Sequence, residues 1–188
     1  MFNIRWWLGD TKKMIKQKFL YLTLLVIISI FSIFLLELNK KNLYTPENIV
    51  LKNVKNFESK ELYSNQVINF FSLTKEKKIT VLNIWSSWCL PCRNEHGHLM
   101  KLSGNDSINM IGINYKDKPK NAKSFLNELG NPFETILTDD SGLISIDLGA
   151  YGVPETFLIN NFDKKIIRKY IGPLNNEILA EIITLSKL

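Results

Sequence analysis

Apolar positions are most concentrated near the start of the chain, where residues 19–36 form a run without charge, proline or glycine. A helix of this length, at a rise of about 1.5 Å per residue, nearly spans a hydrocarbon layer of roughly 30 Å. No polar face runs along the segment, as it would on the core helix of a soluble protein. The pattern predicts a transmembrane helix over residues 19–36.

The segment before this run, residues 1–18, is basic, with five Lys and Arg residues against one acidic residue, Asp10. By the positive-inside rule the N-terminus lies in the cytoplasm and the rest of the chain is exported. A cleaved signal peptide is the alternative, but its apolar region is usually about 7–15 residues long and precedes an A-x-A site. We expect an uncleaved signal anchor, a polar tether over residues 37–50 and an exported domain over residues 51–188.

Beyond the tether, short apolar runs alternate with amphipathic segments, which is the pattern of an α/β domain. Strands are predicted at residues 78–85, 108–115, 133–137, 155–159 and 164–172, the last two as a hairpin. Helices are predicted at residues 92–103, 119–130, 143–149 and 175–185. The order predicts a central mixed sheet flanked by helices.

The net charge of +6 belongs mostly to the N-terminal part. Residues 1–41 hold seven of the 24 basic and two of the 18 acidic residues, so residues 42–188 hold 17 and 16. The exported part is therefore nearly neutral, and we expect no nucleic acid partner. The basic excess is explained by membrane topology.

Both cysteines and both histidines of the chain lie in "LNIWSSWCLPCRNEHGH", which continues a predicted strand. Haem attachment requires C-x-x-C-H, and position 93 is arginine. A zinc site would need all four of these residues, Cys89, Cys92, His96 and His98. Cys92 and His96 are one helical turn apart, but His98 faces elsewhere, and we expect both histidines at the surface.

A structural disulfide between residues so close in sequence would contribute little, because the loop that it closes is small. A redox pair fits this arrangement, because a helix N-terminus favours a thiolate. Cys89, beside Trp88, is expected to be the exposed attacking thiolate, and Cys92 the buried resolving thiol. Pro91 suits a first helical turn, where its missing N–H is not needed. No cofactor other than the Cys89–Cys92 disulfide is expected.

Several stretches carry a family resemblance: "VLNIWSSWCLPCRNE", "GINYKDKPKNAKSFLNELGNPF", "DLGAYGVPETFLI" and "IGPLN". The first resembles the thioredoxin superfamily. The other three are more similar to its membrane-tethered branch, called DsbE or CcmG, which serves cytochrome c maturation. The resemblance covers residues 67–188 and also fits the N-terminal anchor.

The resemblance implies a thioredoxin-like fold in which the loop at Val153–Pro154 faces the cysteine pair with a cis peptide bond. The backbone of Val153 would then bind an extended substrate segment beside Cys89. Trp88, Val153 and Pro154 are accordingly the predicted substrate-binding residues. Trp85 and Tyr115 either line the groove or belong to the core.

Two acidic residues, Glu95 and Glu155, correspond to acidic positions of this branch. A carboxylate near Cys89 would disfavour its thiolate and make the protein a stronger reductant. Pro91, between the cysteines, is expected to help set the redox potential. The alternative for each acidic residue is a solvated surface charge.

The resulting hypothesis is a thiol:disulfide oxidoreductase that acts as a reductant in the periplasm, anchored in the bacterial inner membrane by a single span. The resemblance implies that it receives electrons from a transmembrane dithiol donor of the DsbD or CcdA type. It would pass them to apocytochrome c or to a cytochrome c maturation protein that holds it. The alternatives are a general periplasmic disulfide reductase, an oxidase and a non-enzymatic chaperone of haem assembly.

Overall fold

The computed structural model describes residues 4–38, 52–74 and 77–187. The chain divides into two compact units, residues 1–44 and residues 45–188. Most of the predicted tether, residues 37–50, lies outside the described residues.

The N-terminal unit contains helix α1, Ile4–Leu38. Its segment Lys16–Leu36 has a mean hydropathy of 2.8, and none of it is buried. The hydroxyl of Thr23 donates a 2.8 Å hydrogen bond to the carbonyl oxygen of Leu20, so the helix satisfies this polar group by itself. The helix is long and apolar enough to cross a membrane, and the predicted span lies inside it.

A five-stranded mixed sheet forms the centre of the second unit, as expected from the sequence. Its strands are β3 (Ile79–Trp85), β4 (Ile108–Tyr115), β5 (Thr135–Asp139), β6 (Glu155–Asn160) and β7 (Lys165–Ile171). They lie in the order β5-β4-β3-β6-β7. The neighbours β3, β4 and β5 run parallel, whereas β6 pairs antiparallel with both β3 and β7.

Four helices accompany the sheet: α2 (Leu90–Ser103), α3 (Pro119–Leu129), α4 (Leu143–Leu148) and α5 (Asn176–Leu185). Their ends follow the capping residues of the sequence. The Asn175 side chain accepts a hydrogen bond from the Ile178 N–H at the start of α5, and Gly149 ends α4 in the left-handed conformation that favours glycine.

A short antiparallel hairpin, β1 (Glu58–Lys60) and β2 (Val67–Asn69), precedes a 3-10 helix, Phe70–Thr74. The sequence pattern did not predict these elements. The hairpin attaches to the edge strand β5 through a hydrogen bond from the Leu62 N–H to the Ile136 carbonyl oxygen, 2.9 Å long.

The residues of β3 alternate between two cores because successive side chains of a strand point to opposite faces. Val81 and Trp85 join a core with α2, α3 and α5. Leu82 and Ile84 join a second core with Leu148 of α4 and the 3-10 helix. All seven residues of β3 are buried, as its mostly apolar, β-branched pattern predicted.

Two glycines provide a matched test of this packing. A methyl group on Gly112 of β4 would lie 2.8 Å from Nε1 of Trp85 and 3.0 Å from the Phe133 ring, whereas one on Gly97 of α2 would have no atom within 4 Å. We expect Gly112→Ala to lower the free energy of unfolding by about 1–3 kcal/mol through overpacking. Gly97→Ala should raise it by about 0.5–1 kcal/mol through helix propensity.

Chemical denaturation of the full chain in detergent, followed by tryptophan fluorescence, measures both values. If Gly112→Ala is as stable as the wild type, the close packing of Trp85 against β4 is wrong.

Candidate active site

The two cysteines lie where β3 passes into α2. Cys89 is the N-cap residue of α2, and Cys92 lies in its first turn. The sulfurs form a disulfide with a Cα–Cα distance of 5.3 Å, and the Cys92 N–H points at Sγ of Cys89 over 3.1 Å. Since unpaired N–H groups and the helix dipole meet at this terminus, it favours negative charge on Cys89 in the reduced protein.

The loop before Cys89 is fixed by Asp117, which follows β4. Its carboxylate accepts hydrogen bonds from the N–H and the hydroxyl of Ser87, 2.7 and 2.9 Å long. It also accepts one from the Asn114 side chain, 3.1 Å long. The indole N–H of Trp88 donates to the Lys116 carbonyl oxygen over 3.2 Å. Trp88 is therefore held in place although 59% of its surface is exposed.

The loop before β6 lies beside the end of β3, because Glu155, the first residue of β6, pairs with Ile84 of β3. The Val153–Pro154 peptide bond in this loop is cis, as the family resemblance implied. Val153 packs against the core cluster that contains both cysteines. The pairing thus brings the predicted substrate-binding residues to the same end of the sheet.

The exposure of the cysteines differs from the expectation. Cys89 is 3% exposed and Cys92 is 1% exposed. The prediction that the Cys89 sulfur is exposed is therefore wrong for the disulfide form. The reason is packing: both sulfurs belong to the core cluster beneath α2. The exposed apolar surface next to the cysteines in sequence comes instead from Trp88 at 59% and Leu90 at 69%. Tyr151, in the loop before β6, is 65% exposed. Pro91 is also exposed.

The expectation that His96 lies at the surface is wrong. Its ring is buried against the edge of the Phe125 ring, with the centroids 5.2 Å apart, and Nε2 lies 3.0 Å from the Gly130 carbonyl oxygen. Burial lowers the pKa of His96, because it disfavours the charged form of the ring. His98 is half-buried. Trp85 belongs to the core, stacked on Phe133, and not to the groove.

Glu95 is fully buried, so the surface-charge alternative is excluded. It lies one turn after Cys92 on α2. Its two carboxylate oxygens accept hydrogen bonds from the Asn83 side chain, 2.9 Å, and the Leu174 N–H, 2.8 Å. Burial raises the pKa of Glu95 to about 7, although both hydrogen bonds lower it. The carboxyl group can therefore bind or release a proton near neutral pH.

Glu155 is also buried, but it lies on the other face of the sheet from Glu95. Its neighbour in sequence, Thr156, pairs with Asn83 and hydrogen-bonds it on the α2 side. Successive residues of a strand point to opposite faces, so Glu155 points toward α4. Its Oε2 lies 2.8 Å from the ammonium of Lys169 on β7. The two acidic residues thus have different surroundings, and their effect on the redox potential stays a prediction.

Sequence reasoning missed Asn83, Asp117 and Lys169. Asn83 could have been noticed as a polar residue within the apolar strand "ITVLNIW", since a buried amide needs hydrogen-bond partners. Asp117 and Lys169 gave no such signal, because loops and edge strands commonly carry charges.

A groove of about 560 Å³ begins at Trp88 and extends along the loop between β4 and α3. Its other lining residues are Lys116, Asp117, Lys118, Pro119, Asn121 and Asp140. The groove therefore lies next to Trp88, the residue before Cys89.

A closely spaced disulfide at a helix N-terminus, beside a cis-proline loop and on a mixed sheet, defines a thioredoxin-like dithiol–disulfide exchange protein. Comparison with known proteins agrees. The Redoxin family matches residues 52–183. A DsbF homologue from Corynebacterium diphtheriae has the same fold, with a TM-score of 0.64 and 22% sequence identity over 78% of this chain and 94% of its own.

The sequence relatives are thiol:disulfide interchange proteins. The DsbE-2 protein of Pasteurella multocida is 32% identical over 177 residues, which cover 89% of this chain and 87% of its own length. CycY of Rhizobium leguminosarum is 46% identical over 104 residues, and the match spans 55% of each chain. The chain belongs to the Redoxin family and, within it, to the DsbE branch of thiol:disulfide interchange proteins.

The titration of Glu95 predicts a pH-dependent stability. With a pKa near 7 in the folded protein, against an ordinary value of 4.5, the folded state binds the additional proton between these values. The free energy of unfolding should therefore fall as pH rises from 4.5 through 7, by roughly 3 kcal/mol. Glu95→Gln should lack this fall, because its amide does not titrate.

The measurement is denaturant unfolding of wild type and variant in detergent at several pH values. Glu128→Gln is the control. Arg93 holds the pKa of the exposed Glu128 below its usual value of 4.5, so at pH values well above 4.5 the difference in free energy of unfolding between Glu128→Gln and wild type should stay constant. A difference between wild type and Glu95→Gln that does not change with pH would contradict the protonation of Glu95.

Proposed function

We propose that the protein reduces the disulfide of apocytochrome c, or of a maturation protein that holds it, during c-type cytochrome assembly. The observation that carries this proposal is the Cys89–Cys92 disulfide at the start of α2 beside the cis-proline loop, in a chain of the DsbE branch. Reduction of the substrate leaves its C-x-x-C-H thiols free to bind haem.

The reaction begins with Cys89 as a thiolate. Its sulfur attacks one sulfur of the substrate disulfide, forms a mixed disulfide and displaces the other substrate sulfur, which takes up a proton. The Cys92 sulfur then attacks Cys89, the mixed disulfide breaks, and the second substrate thiol leaves. Two electrons pass to the substrate, and the protein ends as the Cys89–Cys92 disulfide.

The N-terminus of α2 supports the first step, because the Cys92 N–H lies 3.1 Å from Sγ of Cys89 and stabilises its thiolate. The second step requires Cys92 to lose its proton. Glu95, one turn further along the helix, is buried on the same side of the sheet and has a pKa near 7. We assign it the role of taking up this proton, which fits the matching principle for proton transfer at neutral pH.

Substrate recognition uses the exposed surface around the disulfide. An extended substrate segment lies along Val153 and pairs with its backbone, and the Pro154 ring supports it. Trp88 and Leu90, on either side of Cys89 in sequence, and Tyr151 of the loop before β6 supply exposed apolar contact area. These contacts suit an unfolded polypeptide such as an apocytochrome.

The N-terminal helix supports a membrane location. In this proposal residues 19–36 span the bacterial inner membrane once, the basic residues 1–18 stay in the cytoplasm, and residues 37–50 tether the periplasmic domain, residues 51–188. Because that compartment is kept oxidising, the Cys89–Cys92 disulfide needs electrons from across the membrane. A transmembrane dithiol donor of the DsbD or CcdA type would supply them.

Replacement of the resolving thiol should trap the intermediate. Cys92→Ser retains the attacking Cys89 but has no thiol to break the mixed disulfide, so the full chain in detergent should form a covalent adduct with oxidised apocytochrome c or its maturation partner. Non-reducing electrophoresis and mass spectrometry detect the adduct.

Cys89→Ser is the matched control and should form no adduct, because Cys89, at the N-cap of α2, is the sulfur whose thiolate the helix terminus favours. Adduct formation with Cys89→Ser and not with Cys92→Ser would reverse the assigned roles. Absence of an adduct with both would refute the proposed substrate.

A further inference from the structure

Lys169, on β7, has an almost fully buried side chain, with 1% of its surface exposed. Its Nζ lies 2.8 Å from Oε2 of Glu155 and donates a 2.7 Å hydrogen bond to the Gly149 carbonyl oxygen. The same atom lies 4.1 Å from the centroid of the Tyr151 ring and 5.3 Å from that of Phe157. Burial of an ammonium is costly without partners, and here an anion, a carbonyl dipole and two aromatic faces surround it.

These contacts connect the two ends of the loop between α4 and β6. Gly149 ends α4, and Glu155 begins β6. The other carboxylate oxygen of Glu155 accepts hydrogen bonds from the N–H groups of Tyr151, 2.8 Å, and Gly152, 3.1 Å. The ion pair thus fixes the backbone directly before the cis peptide bond.

The geometry points to Lys169 as a positioning residue: paired with Glu155, it holds the loop that presents Val153 and Pro154 to the substrate. This role rests on the proposed function in one respect, namely that the loop binds the substrate polypeptide. Lys169 acts through the loop and not by contact with the reacting sulfurs.

The pair also changes the role of Glu155. The positive charge of Lys169 compensates the carboxylate within 3 Å, so the pair is electrically neutral as seen from the disulfide. Glu155 is then an anchor of the loop, and the redox potential does not depend on its negative charge.

The test compares four variants of the full chain in detergent: Lys169→Met, Glu155→Gln, the double variant, and Lys165→Met. Methionine keeps much of the length of lysine without the charge. Lys165 lies on the same strand with a side chain 42% exposed and is the matched control. The double variant removes both charges and leaves no unpaired ion in the core.

The readouts separate loop position from thiol chemistry. One substrate is a peptide closed by a disulfide in a C-x-x-C-H sequence, and the other is hydroxyethyl disulfide, which is too small to use the loop. Lys169→Met should raise KM for the peptide by about tenfold or more, with kcat and the rate with hydroxyethyl disulfide within about twofold of wild type. Lys165→Met should match the wild type. The loss of kcat/KM for the peptide in the double variant should be smaller than the sum of the losses in the two single variants, compared as free energies.

Equilibrium with glutathione tests the charge argument. The equilibrium constant of the double variant should stay within about twofold of wild type, because a neutral pair is replaced by a neutral pair. A larger change would contradict the compensation of Glu155 by Lys169. If Lys169→Met lost kcat/KM equally with the peptide and with hydroxyethyl disulfide, the inference would also be overturned.

Hydrogen exchange keeps the test valid if Lys169→Met is unstable. Exchange at Tyr151 and Gly152 should rise while the amides of β3 and β4 stay protected; a uniform rise would show general destabilisation and overturn the inference. The proposed function is tested separately by a second peptide that lacks the histidine. Equal reduction of both peptides would argue against a cytochrome c substrate and leave the role of Lys169 intact.

Discussion

The antiparallel pairing of β6 with β3 is the constraint on which the site depends. The register sets Glu155 opposite Ile84, so the residues before β6 meet the residues after β3 at one end of the sheet. The residues after β3 contain the disulfide at the start of α2, and the residues before β6 form the cis-proline loop. A shift of this register by one residue would turn every side chain of β6 to the other face and separate the two halves of the site.

The same pairing divides the two buried carboxylates between the faces of the sheet. Glu95 lies under α2 with two hydrogen bonds and no cation among its contacts in the described part of the chain. Burial therefore destabilises its charged form and raises its pKa. Glu155, on the α4 side, has Lys169 as its counterion. The first environment suits a group that exchanges protons, and the second suits a permanent structural contact. Glu95 and Glu155 look equivalent in sequence, but they therefore have different roles.

The sequence predicted the five central strands, the four helices around them and the cysteine pair, because these depend on local patterns. Examples are the mostly apolar β3, Pro119 and Gly130 at the ends of α3, and the Asn175 cap of α5. Burial of His96 was not predictable, since it depends on Phe125 of another helix. Lys169 was hidden by a register irregularity between Leu158 and Ile159. This irregularity puts Ile166 and Lys169, three residues apart, at buried positions of β7 and breaks the alternation that a regular strand would show.

The central claim is that the Cys89–Cys92 couple donates electrons. The most direct test is the reduction potential of the full chain in detergent, measured at pH 7 by equilibration with mixtures of reduced and oxidised glutathione. The account predicts a potential at or below about −200 mV, in the range of reducing thioredoxin-like proteins. A potential near about −120 mV, as in a strong disulfide-forming oxidant, would contradict it.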